Sequence, residues 1–91
     1  MNKTFVSLSS ISMDLERVAM GYQRGSVKMA DRFLEEALKR RNEIDQREVR
    51  PYIKDLLFQL DNLKSEKDKQ KVAEDALMYS ILFQNYSQKY F

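Results

Sequence analysis

Apolar residues recur at steps of three and four along four separate segments of this chain, and successive segments aim their stripes in different directions. Such a pattern confines the chain to amphipathic helices that fold back on one another. The first stripe is Leu8, Ile11, Leu15, Val18 and Tyr22, and the second carries Val27, Met29, Ala30, Phe33, Leu34, Ala37, Leu38 and Ile44. At about 100° per residue the two stripes differ by roughly 75°, so one straight helix would have to face two different neighbours. Gly25 followed by Ser26 reads as a helix stop and a new N-cap between them. The alternative is one long first helix kinked near Gly25, with Gly21-x-x-x-Gly25 as a close-packing notch. At its start, Ser10 or Ser12 is the expected cap, with Asp14 and Glu16 in the first turn; whether Thr4–Ser9 joins the helix is left open.

The third stripe is Val49, Ile53, Leu56, Leu60 and Leu63, widened by Tyr52 and Leu57. Asp45-x-x-Glu48 resembles a capping box, but Pro51 six residues past Asp45 would then break a helical hydrogen bond. Pro51 is therefore placed in the first turn, and residues 45–48 in the connection. The polar run Lys64–Lys71 follows, with Ser65-x-x-Asp68 as a cap signal. The fourth stripe, Val72, Ala76, Tyr79, Phe83, Tyr86 and Tyr90, is rotated by roughly 140° from the third, which requires a turn in that run.

Two glycines and one proline in 91 residues agree with helices and argue against an all-β or disordered chain. The length suits a single helical domain over 1–91. The expected fold is all-α: a compact up-and-down four-helix bundle with short connections between antiparallel neighbours. A three-helix bundle with a long, kinked first helix is the second choice.

The composition removes much chemistry. There is no cysteine and no histidine, so thiolate nucleophiles, disulfides, histidine-based triads and the usual transition-metal ligand sets are all missing. The adjacent acidic pairs Glu35-Glu36 and Glu74-Asp75 suggest no metal site, because Glu35, Glu36 and Lys39 stand four before Lys39, Arg40 and Glu43 as on a solvated, ion-paired face. No catalytic, cofactor-binding or metal-binding residue is assigned, and an enzyme is not expected. The strongly apolar stretch Ala76–Phe83 is far shorter than the ~20 residues that cross a bilayer. A soluble protein with no membrane association is expected, and a cytoplasmic location fits the lack of cysteine.

Two surface features remain. Lys39, Arg40, Arg41, Arg47, Arg50 and Lys54 cluster around the second connection, a pattern that can grip phosphates. Glu43, Asp45 and Glu48 interrupt it, and the net charge of the chain is only +2. Weak nucleic-acid binding is the second functional reading. Arg41 falls in phase with Leu34 and Ala37 and is expected to snorkel out at the bundle end or to meet a carboxylate. The leading reading rests on Met13, Met20, Phe58, Met78 and Leu82, which point away from their own core stripes. Outward apolar residues in such number suggest a non-enzymatic interaction module, with a protein partner or a second copy of the chain as the occupant.

Overall fold

Asn2 opens the first helix. Its side-chain oxygen accepts hydrogen bonds from the backbone N–H groups of Thr4 at 2.7 Å and Phe5 at 3.2 Å. The computed structural model describes residues 2–90, and in it α1 runs over Lys3–Gln23. The helix therefore starts well before Ser10 and Ser12. Ser12 does not cap: it lies buried, and its hydroxyl donates to the Ser80 carbonyl at 2.8 Å. Asp14 is buried as well, in mid-helix rather than in a first turn.

Gly25 ends this helix with φ at +77°, a conformation that costs glycine nothing. The Ser26 N–H reaches back to the Gly21 carbonyl at 2.7 Å, and α2 spans Val27–Arg41. Two helices thus replace the single kinked one. Asp45 caps a short 3-10 turn at Gln46–Glu48 through the Arg47 N–H at 2.9 Å. Helix α3, Pro51–Ser65, begins with Pro51, where no N–H is needed. Helix α4 spans Lys69–Tyr90, and its cap is Asp68, which accepts from the N–H groups of Gln70 and Lys71 at 3.1 and 3.3 Å. Ser65, the expected cap, instead closes α3 by donating to the Asn62 carbonyl.

The helices form an up-and-down four-helix bundle, with α1 against α2 and α4, and α3 against the same two from the other side. The long dimension is 35 Å, close to the ~33 Å expected of 22 helical residues such as α4. The core draws on all four stripes: Leu8, Ile11, Leu15 and Val18 meet Leu34, Ile53, Leu57, Leu60, Val72 and Phe83, whereas Val27, Met29, Tyr52 and Tyr90, at the ends or edges of their stripes, are exposed. Helix α1 lies much closer to α2 and α4 than α3 does. Small residues make that approach. A Cβ on Gly21 would sit 2.8 Å from the Ala30 Cβ, while the buried Ser12 and Ser80 hydroxyls lie 3.3 Å apart. Every buried side-chain polar atom among the described residues has a hydrogen-bond partner.

Candidate interaction surface

The middle of the outer face of α4 is apolar. Leu77, Met78, Ile81 and Leu82 are exposed at 41, 49, 49 and 39%. At about 100° per residue they cover an arc of roughly 140°, opposite the buried Val72, Ala76, Phe83 and Tyr86. Four neighbouring side chains on two turns make a patch rather than scattered single exposures. Charged residues bound it: Glu74 and Asp75 toward the helix N-terminus and Lys89 toward the C-terminus. Lys71 is held by Asp75 at 3.4 Å.

The residues singled out by sequence distribute unevenly around this patch. Met78 and Leu82 lie within it. Met13, 52% exposed on α1, flanks it across a shallow groove of 170 Å³ that it shares with Phe5, Ser9, Gln84 and Gln88. Met20 is half-buried rather than outward. Phe58 is exposed at 77% and lies level with the patch, because neighbouring Gln59 accepts a hydrogen bond from the Tyr79 hydroxyl at 3.0 Å. It points roughly 100° around α3 from Gln59, however, and so stands apart from α4. Leu77 and Ile81 were not expected in the surface. Their signal was present in the sequence: they are four apart and out of phase with Ala76, Tyr79 and Phe83.

The basic cluster is largely engaged within the fold. Arg40 donates through Nε to the buried Asp14 at 3.0 Å, and Arg17 approaches the same carboxylate at 3.9 Å. Burial pushes the Asp14 carboxyl above the usual carboxylate range, and the Arg40 hydrogen bond offsets this only in part. Arg41 meets Asp61 at 3.0 Å and the Leu57 carbonyl at 3.2 Å, the carboxylate pairing expected from its phase. Arg47 binds Asp45 with both Nε and Nη2, which lowers the Asp45 pKa to about 2. Lys39 lies 3.9 Å from Glu36. Arg50 stacks over the Tyr90 ring at 4.4 Å, beside the tilted Tyr86–Tyr90 pair and the edge of Tyr52. Lys54 is half-buried on α3.

A surface depression at the end of the bundle opposite the basic cluster, 370 Å³, is lined by Tyr22, Gln23, Gln70, Ala73 and Glu74. The Tyr22 hydroxyl donates to Asp31, and burial followed by that carboxylate raises its pKa, away from any proton-transfer role near neutrality. No group of three acidic residues among the described residues is placed to hold a metal ion. No helix among them is long and apolar enough to cross a membrane. Comparison with protein families, with curated proteins and with solved structures finds no match.

Proposed function

We propose that this bundle is a non-enzymatic protein-interaction module, working in the cytoplasm, which associates through the outer face of α4. One observation carries the reading: Leu77, Met78, Ile81 and Leu82 form a continuous apolar arc on a helix whose opposite side already fills the core. A peripheral bundle helix needs only one apolar face to fold. The second apolar face adds nothing to the monomer and exposes surface that association removes from water. The engagement of Arg40, Arg41 and Arg47 with Asp14, Asp61 and Asp45 favours this over nucleic-acid binding, since those guanidinium groups already hold carboxylates.

The test is site-specific photo-crosslinking in the cells that make the protein. A benzophenone side chain replaces Ile81 in one variant and Glu35, on the exposed polar face of α2, in another. Discrete adducts from position 81 and none from position 35 are expected. No adduct from position 81, or the same adducts from both positions, overturns the reading.

A further inference from the structure

We infer that the occupant of the α4 face is a second copy of this chain, its α4 packed antiparallel on the first; this rests on the interaction reading above. The patch has the pattern that a two-fold contact requires, in which the same surface must complement itself. Its centre falls midway between Leu77 and Leu82. An antiparallel pairing about that centre sets Met78 level with Ile81 of the second copy across the midline, Leu77 beside the second copy's Ile81 and Leu82 beside its Met78, so all four apolar residues are covered in both chains. It sets Glu74 opposite Asn85, one turn from Lys89. Each end then sets Glu74, Asp75 and the Asp75-paired Lys71 of one copy against Lys89 of the other, so that an excess of one negative charge faces one positive charge. A parallel pairing would stack Glu74 on Glu74 and Lys89 on Lys89. The helix dipoles also favour the antiparallel arrangement.

Glu74 and Asn85 both fall near the midline of the outer face, within roughly 20° of one another around the axis. Helices in contact at that face bring opposed backbone positions within disulfide range, whereas the two copies of Glu74 stay about 16 Å apart along the axis. The chain has no cysteine of its own, so introduced thiols are unique.

Glu74→Cys and Asn85→Cys are purified separately and oxidised alone and as a mixture at tens of micromolar. The mixture is expected to form a disulfide-linked dimer on the order of tenfold faster than either variant alone. Glu74→Lys and Lys89→Glu are each expected to weaken dimerisation several-fold, and the double exchange to restore it. Faster cross-linking of Glu74→Cys with itself would replace the antiparallel arrangement with a parallel one and overturn the inference. A wild type that stays monomeric in light scattering at tens of micromolar overturns it too. Discrete photo-adducts from position 81, none with twice the mass of the chain, would retain the interaction reading and reject the second copy as its occupant.

Discussion

Asp14 is the one buried charged residue among the described residues, and it lies between α1 and α2 with Arg40 as its closest partner. Its native pKa is raised by burial, so the folded state holds the proton more tightly than the unfolded chain does. The stability that protonation adds is fully present below the unfolded value of about 3.9 and is lost as pH rises through the native value. At neutral pH the fold therefore carries a desolvated carboxylate. Asparagine keeps an acceptor oxygen for the Arg40 Nε without the charge. Asp14→Asn is expected to be as stable as the wild type at pH 7 or up to ~1 kcal/mol more so, with the gap closing toward pH 4. Urea unfolding at the two pH values measures it. A loss of ~2 kcal/mol at pH 7 would mean that the ion pair outweighs the burial. Three after Ile11 and four before Val18, Asp14 stands on the flank of the first stripe, so its phase already turns it inward. That it lies in mid-helix rather than in a first turn follows from the start at Lys3, which Asn2 caps from outside the apolar stripe.

At the scale of elements, the approach of α1 to α2 turns on Gly21. A methyl there would meet the Ala30 Cα and N at 3.1 Å, and backbone cannot swing aside as a side chain can. Gly21→Ala gains up to ~1 kcal/mol in helix propensity but forces the helices apart, and overpacking of this kind costs ~1–3 kcal/mol. A net loss of stability is expected in thermal or urea unfolding, partly recovered by Ala30→Gly in the same chain. A gain from Gly21→Ala alone would show that α1 and α2 separate freely. The four stripes were legible because each is set by local periodicity, and so were the stops at Gly25 and Pro51. The close helix pairs were less so. Their signature is small residues seven apart: Ser12 with Ala19, and Ala73 with Ser80 and Ser87, on the flanks of the apolar stripes, and Ala30 with Ala37 within the second stripe. Serine at such a position reads as polar surface until a partner helix supplies its hydrogen bond, as Ser80 does for Ser12. Helix phase likewise shows that Met78 and Leu82 face outward, but the level of Phe58 and the half-burial of Met20 depend on how neighbouring helices are set against one another.

For the molecule as a whole, the proposed contact through the α4 face would link folding to association. Full burial of a Leu, Ile or Met side chain is worth ~1.5–3 kcal/mol, and the four residues of the patch are already about half covered. The gain left to a dimer is comparable with the cost of holding two chains together, so the proposed dimer is expected to be weak and set by concentration. Anything that binds the native state alone raises the melting temperature as its concentration grows, and in the proposed dimer the ligand is the protein itself. The wild type is expected to melt several degrees higher at ~200 μM than at ~2 μM, since ~1 kcal/mol moves a domain of this size by ~4–8 °C. The double variant Met78→Glu, Leu82→Glu places charges where the contact would be dry. Both positions face outward in the monomer, so this variant should match the dilute wild type and show no dependence on concentration. Scanning calorimetry over that range checks both chains. A wild type whose melting point does not move would mean that the bundle derives no stability from its own copies. A double variant that melts far below the dilute wild type would place Met78 and Leu82 in the monomer core, against their exposure.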